Sequence, residues 1–278
     1  MPKLLANRYG KGRVRVLKVL RNGATHRIKD LTVKAMLEGD LESSYTKGDN
    51  SKVVPTDTIR NTINALALEH LGDQIERFGV VLGQHFLQFP QIHQVTVEIL
   101  ERDWHRLEVN GKPHSHSFSS GGETRMFSRV TMTRDKSIVQ SGIRDLVILK
   151  STQSGFEGYP RDKFTTLKET SDRILGTSFS ATWDFAKDPG DYRVSNSAIM
   201  TAMLEVFAEN FSPSAQATLY QMGEAALAVC VEIDSIELAM PNRHCVLIDL
   251  SPFGLENRNE VFLPIDEPHG QIEATVCR

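Results

Sequence analysis

The spacing of hydrophobic residues changes twice along the first half of the chain. Strand-like stretches mark its two ends, and helical spacing of three or four residues marks its middle. The strand-like segments are Val14–Leu20, Ile28–Leu37, Gln94–Val109 and Thr124–Thr133. One helical segment begins at Thr56-Asp57, which we interpret as an N-cap, and the other spans about Gln74–Gln88. The first half therefore predicts the element order ββααββ.

The second half of the chain repeats this order. Its strand-like segments are Ser141–Ser151, Ser178–Phe185, Val231–Ala239 and His244–Leu250. A long insertion, residues 152–177, separates the first two of them. The helical segments are Ala198–Asn210 and Ala215–Val229. The repetition predicts two tandem units, residues 1–136 and residues 137–278.

Strand pairs with helices between them predict antiparallel sheets with helices packed on one face, which is the α+β class. The second face of each sheet would then have no element of its own chain to cover it. Because this second face must be covered by something and the chain offers no further layer, we expect the protein to oligomerise.

Charge and composition argue against two classes of partner. The chain has 278 residues, with 32 Lys and Arg against 35 Asp and Glu, so it lacks the excess of positive charge with which proteins bind nucleic acid. The uncharged run Gly79–Val97 contains Pro90 and several glutamines, so we expect no membrane-spanning helix there. The three cysteines form no Cys-x-x-Cys pair, and their odd number favours a reducing cytoplasm over a disulfide framework.

The sequence contains no recognisable motif for a nucleotide cofactor. It has no P-loop, no complete dinucleotide fingerprint and no His-Glu-x-x-His. One metal-like cluster is present at His114-Ser115-His116, because residues i and i+2 of a strand point to one face. No third ligand stands at a standard spacing, so we interpret both histidines as structural and predict no metal site.

Several short motifs, each weak alone, occur together in a fixed order. In the first half they are Arg8-Tyr9-Gly10-Lys11, Ser43-Ser44-Tyr45-Thr46-Lys47, Thr56-Asp57 and Lys112-Pro113-His114-Ser115-His116. In the second half they are Leu149-Lys150-Ser151-Thr152, Thr165-Thr166-Leu167-Lys168-Glu169-Thr170, Asp172-Arg173-Ile174-Leu175, Gln216-Ala217-Thr218 and Pro241-Asn242-Arg243-His244. In this combination the chain resembles the urate oxidase (uricase) family over essentially its whole length.

The resemblance implies a fold, an assembly and a reaction. The family has the tunnelling fold, in which each subunit contains two tandem ββααββ units and subunits close a β-barrel that stacks into a homotetramer with a tunnel. Its reaction is the oxidation of urate by O2 to 5-hydroxyisourate and H2O2 in purine breakdown, with O2 as co-substrate and no cofactor. Because the Ser-Lys-Leu tail of eukaryotic members is absent, the resemblance implies a bacterial, cytoplasmic protein.

The resemblance also assigns the residues that would bind urate. Arg173 would bind one edge of the ring, because its planar guanidinium group offers parallel N–H donors. Gln216 would hold a neighbouring edge with one donor and one acceptor, and Phe156 would stack on the ring face. The backbone N–H groups of Asp57 and Ala215 would complete the rim.

The catalytic residues that the resemblance implies form a proton relay beside an oxygen site. Thr56 would pass a proton to Lys11, with His244 next in line, and Asn242 together with Thr56 would hold O2 and then water above the ring. A free lysine has a pKa of about 10.4, so desolvation must lower the pKa of Lys11 before it can accept a proton near neutral pH. In the family, Lys11, Thr56 and Asp57 come from one subunit and the other site residues from its neighbour.

Two other functions remain open at this stage. One is another tunnelling-fold enzyme that acts on a purine or pterin with zinc bound at His114 and His116. The other is a non-catalytic oligomeric binding module that kept the fold and lost the reaction. Metal dependence separates the first from the urate oxidase hypothesis. The second would be expected to lack Lys11 or Arg173, and both are present.

Overall fold

The computed structural model describes residues 2–278 and divides the chain into two compact units. Unit 1 runs to Ile143 and includes Asp184–Val194, and unit 2 contains Arg144–Trp183 and Ser195–Arg278. Each unit has its own antiparallel strands and its own pair of long helices. The boundary between residues 136 and 137 that the repetition suggests stays a prediction.

Unit 1 has the predicted order ββααββ, with one short extra helix. Its elements are β1 (Tyr9–Asn22), β2 (Thr25–Gly39), α1 (Glu42–Thr46), α2 (Thr56–His70), α3 (Ile75–Phe86), β3 (Ile92–Val109), β4 (Lys112–Met132) and the beginning of β5 (Ser137–Lys150). Strands β1, β2, β3 and β4 pair antiparallel in that order. Strand β4 begins at Lys112, well before the predicted start at Thr124. The sequence pattern missed this part because residues 115–122 are rich in Ser and Gly and show no regular alternation of buried and exposed positions.

The helices of unit 1 are fixed by apolar residues that meet on one face of the sheet. Alternate residues of β2 point into this core and are fully buried, namely Leu31, Val33, Ala35 and Leu37. Helices α2 and α3 contribute Ile59, Ile63, Phe78, Leu82 and Phe86, also fully buried. Burial of each such large side chain adds about 1.5–3 kcal/mol to the free energy of unfolding. The core therefore holds α2 against β1.

Unit 2 contains more strands than the spacing of its sequence suggested. Its elements are the end of β5, β6 (Leu175–Phe185), α4 (Tyr192–Glu209), α5 (Ala215–Val229), β7 (Ile233–Ala239), β8 (Asn242–Leu247), a 3-10 helix (Ser251–Phe253), β9 (Phe262–Ile265) and β10 (Glu273–Cys277). Helix α5 packs against β7 and β10. The antiparallel α+β class with two ββααββ units is thus confirmed, since β10 completes the second unit as the partner of β7.

The prediction that His244–Leu250 forms the last strand of the second unit is wrong. Strand β8 pairs with β6 through Thr177 and with the short β9, and it does not pair with β7. The physical reason is Pro241, which has no N–H to continue a strand ladder. Its carbonyl instead accepts hydrogen bonds from the Ser178 N–H (3.3 Å) and the Thr177 hydroxyl (2.9 Å), which turn the chain toward β6.

None of the helices in the described part of the chain has both the length and the hydrophobicity needed to cross a membrane.

Candidate active site

Lys11 lies on β1 at a point where the strand makes an unusually close approach to β2. A Cβ on Gly10 would stand 1.9 Å from the carbonyl oxygen of Ala35, so no residue with a side chain fits there without moving a strand. Lys11 pairs with Ala35, and the register then shifts before Val14. Arg13, inside this bulge, has a φ of 57°. The bulge therefore ends the regular strand directly after Lys11, whose side chain is half-buried.

Thr56 and Asp57 open helix α2, which begins one position earlier than a cap at Thr56 would place it. The N-cap is Pro55, and no side chain caps the helix, so the interpretation of Thr56-Asp57 as the cap is wrong. Proline at ψ 137° supplies the extended backbone of a cap without any side-chain bond. The first backbone N–H groups of a helix have no partner within it and favour negative charge. The Asp57 N–H is therefore suited to an anionic ligand, while its carboxylate pairs with Arg60 at 2.6 Å.

Unit 2 contains a cavity of about 200 Å³ that brings together four of the predicted site residues. These are Phe156, Arg173, Asn242 and His244. Leu167, Lys168, Thr170, Ile174, Arg243, Cys245 and Val246 also line it. Several of these additional lining residues could have been predicted from the sequence. Leu167, Lys168, Thr170 and Arg243 fall within the motifs that support the family resemblance.

The segment between β5 and β6 carries Phe156 and Arg173 side by side. Phe156 exchanges two backbone hydrogen bonds with Thr170, at 2.7 and 3.2 Å, and the Arg173 N–H donates to the Ser154 carbonyl at 2.7 Å. The guanidinium carbon of Arg173 lies 5.1 Å from the centre of the Phe156 ring. The Phe156 ring also stacks on the ring of Tyr159, which does not line the cavity, with 5.0 Å between ring centres.

Arg173 is built to receive an anion. Burial lowers the pKa of its guanidinium from the ordinary value, although arginine remains charged at neutral pH. Its Nε is buried and has no hydrogen-bond partner among the described residues. An unpaired buried donor costs about 1–3 kcal/mol, more for a charged group, so a planar ligand that accepts from Nε would relieve this cost.

Asn242 and His244 project from β8 into the same cavity. Two residues apart on a strand, they share one face, and Asn242 Nδ2 lies 3.3 Å from His244 Nδ1. Arg243, between them, forms an ion pair with Asp266 at 2.6 Å. The Asn242 N–H donates to the Gly270 carbonyl at 2.8 Å. These contacts fix the strand that presents both side chains.

Ala215 and Gln216 open helix α5 and are not among the residues that line the cavity. Ser214 caps the helix by accepting the Ala217 N–H at 3.1 Å. A buried hydrogen bond of 2.6 Å joins the hydroxyls of Thr218 and Ser212. The Ser212 carbonyl in turn accepts the Gly155 N–H at 2.8 Å, next to Phe156. The start of α5 is therefore tied to the segment that carries Phe156, and Gln216 is exposed beside it.

His114 and His116 lie close together on β4, as their spacing suggested. Their ring centres are 4.5 Å apart, and the ring of His26 lies 6.0 Å from that of His116. Within residues 2–278, no group of three or more His, Cys, Asp or Glu side chains is arranged to hold a metal ion. The zinc alternative therefore gains no support from the structure.

The comparisons with known proteins agree over the whole chain. The sequence model of the uricase family matches residues 7–131 and 139–273. The chain is 39% identical to a uricase of Dictyostelium discoideum, covering 100% of this chain and 98% of the relative, and 41% identical to one of Aspergillus flavus with the same coverage. The crystal structure of a uricase from Arthrobacter globiformis superposes with a TM-score of 0.94 at 40% identity, covering 100% of this chain and 96% of the other. This chain belongs to the uricase family.

Proposed function

We propose that this protein is a urate oxidase that converts urate, O2 and water to 5-hydroxyisourate and H2O2 without a metal or an organic cofactor. The observation that carries the proposal is the cavity in which Phe156, Arg173, Asn242 and His244 meet. It combines a flat apolar face with a charged, partly unsatisfied fork, which suits a planar anion. Membership of the uricase family identifies urate as that anion.

Urate is held by contacts at its face and its edges. Phe156 stacks on the ring, Arg173 donates two N–H groups to one edge, and Gln216 offers an amide to the next. The backbone N–H groups of Asp57 and Ala215, each at the start of a helix, donate to the remaining oxygen atoms.

The chemistry begins with proton removal. The ground state of O2 reacts poorly with closed-shell molecules, and most enzymes therefore recruit a metal or flavin. Here urate itself supplies the electrons once it approaches the dianion. A urate N–H proton moves to the Thr56 oxygen while the Thr56 hydroxyl proton moves to Lys11 Nζ, with His244 as the next proton carrier. Asn242 holds O2 and afterwards the water that adds to the ring.

The active form is a homotetramer in the cytoplasm, with each site shared between subunits. Lys11, Thr56 and Asp57 come from one subunit, and the cavity residues come from its neighbour. Large apolar side chains on the strands support a covering copy: Leu17 of β1 is 64% exposed, and Val147 and Leu149 of β5 are 52% and 55% exposed. The three cysteines are free thiols, as a reducing compartment keeps them.

Oxidation by metal-free protein tests this proposal. The purified protein is dialysed against a strong chelator, its metal content is measured by mass spectrometry, and urate loss, O2 uptake and H2O2 formation are followed together. We expect full activity, with the three quantities equal. Activity that disappears with the metal and returns with zinc would contradict the proposal and favour the zinc site at His114 and His116. Urate binding without O2 uptake would favour the non-catalytic module.

A further inference from the structure

The hydroxyl group of Tyr9 joins two segments that carry proposed catalytic residues. It accepts a hydrogen bond from the Val54 N–H at 2.7 Å and donates one to the Val54 carbonyl at 3.1 Å. Tyr9 stands two residues before Lys11 on β1, and Val54 stands two residues before Thr56, which begins α2. All four residues belong to unit 1. One phenol group therefore connects the two sides of the proposed proton relay.

Tyr9 and Lys11 leave β1 on the same side. They pair with Leu37 and Ala35 of β2, both fully buried, and the register shifts only after Lys11. Residues i and i+2 of a regular strand share a face. The Tyr9 ring packs against the core that also contains α2. The side chain of Lys11 consequently starts toward the helix that Thr56 opens.

The rest of the connection into α2 is held by the buried side chain of Val54 and by a few further hydrogen bonds. The structure assigns residues 47–55 to no helix or strand. The Val53 N–H donates to the Asn50 carbonyl within this segment, and the Gln91 side chain reaches the Lys52 carbonyl at 2.8 Å. The two bonds to Tyr9 are thus the hydrogen bonds that join the last turn of chain before Thr56 to the strand of Lys11.

We propose that Tyr9 is a positioning residue for the reaction: through Val54, its hydroxyl sets the distance and angle between Thr56 and Lys11. This inference rests on the proposed function, because it presupposes that a proton passes between these two residues. Such a transfer needs heavy atoms about 2.6–3.2 Å apart. A displacement of about 1 Å can reduce a rate by about 10²-fold.

The Tyr9→Phe variant tests the proposal because it keeps the buried ring and removes only the hydroxyl. The full-length protein is assayed for kcat and KM with urate, for the affinity of a non-reactive urate analogue, and for its thermal midpoint. We expect kcat to fall by about 10-fold or more. Analogue affinity should stay within about 3-fold, because the contacts of Arg173, Gln216 and Phe156 are unchanged and only the Asp57 N–H belongs to the displaced segment. The loss of kcat should shrink at high pH, where free hydroxide can remove the proton that the misplaced relay cannot.

Tyr45→Phe is the matched control. The hydroxyl of Tyr45 also donates to a backbone carbonyl near the start of β1, that of Arg8 at 3.1 Å, but it does not reach the segment before α2. This variant should keep the wild-type kcat. A Tyr9→Phe variant with wild-type kcat would overturn the proposal, and so would parallel losses of kcat and analogue affinity at every pH.

The Lys11→Met variant separates failure of this inference from failure of the proposed function. If Lys11→Met is inactive and Tyr9→Phe is normal, the relay stands and the role of Tyr9 is wrong. If Lys11→Met remains active, the relay itself is wrong. Should Tyr9→Phe not assemble, p-aminophenylalanine at position 9 keeps a donor and a weaker acceptor. Because its amine accepts only weakly from the Val54 N–H, kcat should fall while analogue affinity stays unchanged, and parallel losses of kcat and analogue affinity would overturn the proposal.

Discussion

At the scale of single residues, we expect Asn242 to act on O2 and not on the binding of urate. Its amide faces His244 at 3.3 Å, and no urate edge depends on it in the proposed binding mode. Asn242→Ala should lower turnover by about 10²-fold, the scale for losing a preorganised polar group at a reacting centre. Binding of a non-reactive urate analogue should stay within about 1 kcal/mol of wild type. Equal losses in oxygen consumption and in equilibrium binding would show that Asn242 only shapes the turn after Pro241.

Arg173 is expected to act through geometry as well as charge. Arg173→Lys keeps the charge and loses the fork, so analogue binding should weaken by about 1.5–3 kcal/mol, measured by calorimetry. Arg161→Lys is a matched control in the same segment, because Arg161 is exposed and is not among the residues that line the cavity. Its guanidinium lies near the Tyr159 ring and donates to the Leu167 carbonyl. Unchanged affinity in Arg173→Lys would refute the assignment.

The sequence predicted which residues form the candidate site better than it predicted how these residues are placed and bonded. The motif around Thr56 correctly located the start of a helix. Capping rules favour residues with a side-chain oxygen, however, so they did not predict Pro55 as the N-cap. The bond between Tyr9 and Val54 joins residues 45 positions apart and depends on how α2 packs on β1. No local sequence pattern in either segment predicts this hydrogen bond.

At the scale of elements, Lys18 anchors the far end of α2 to β1. Its Nζ donates to the carbonyls of Ala67, Leu68 and Leu71 at 2.8–2.9 Å, where the C-terminus of a helix favours a cation. Lys18→Met should lower the free energy of unfolding by about 1–3 kcal/mol in denaturant titrations. Turnover at 25 °C should hardly change, since Thr56 lies at the other end of the helix.

Lys34→Met provides the comparison for this prediction. Lys34 forms an exposed ion pair with Glu98 at 3.1 Å, and such pairs contribute about 0–1 kcal/mol. Equal stability losses in the two variants would mean that the cap on α2 contributes nothing beyond an ordinary surface charge.

The helices and strands show which elements the spacing of hydrophobic residues can predict and which it cannot. Helices α3 and α5 lie within two residues of their predicted bounds, because their buried faces repeat over several turns. Strand β10 has five residues, of which only Val276 is buried, so alternation cannot reveal it. The pairing of β8 with β6 joins segments far apart in sequence, whereas the sequence pattern favoured a hairpin with the adjacent β7.

At the scale of the whole molecule, the doubled ββααββ order was readable from the sequence because it needs only element types and their sequence. The proposed assembly rests on a different kind of argument. Apolar residues such as Leu17 and Val147 remain exposed on strands. This exposure supports the proposed covering of the strands by a second subunit.

Complementation between two inactive variants tests this shared site most directly. Lys11→Ala and Arg173→Ala proteins are refolded separately and as an equal mixture, and mixed tetramers are isolated by orthogonal affinity tags before urate oxidation is measured. Each variant alone should be nearly inactive. In random mixtures about a quarter of the sites would pair an intact Lys11 with an intact Arg173 across an interface, so about a quarter of wild-type activity should return. Verified mixed tetramers with no recovered activity would contradict the account, because both residues would then serve the site of a single chain.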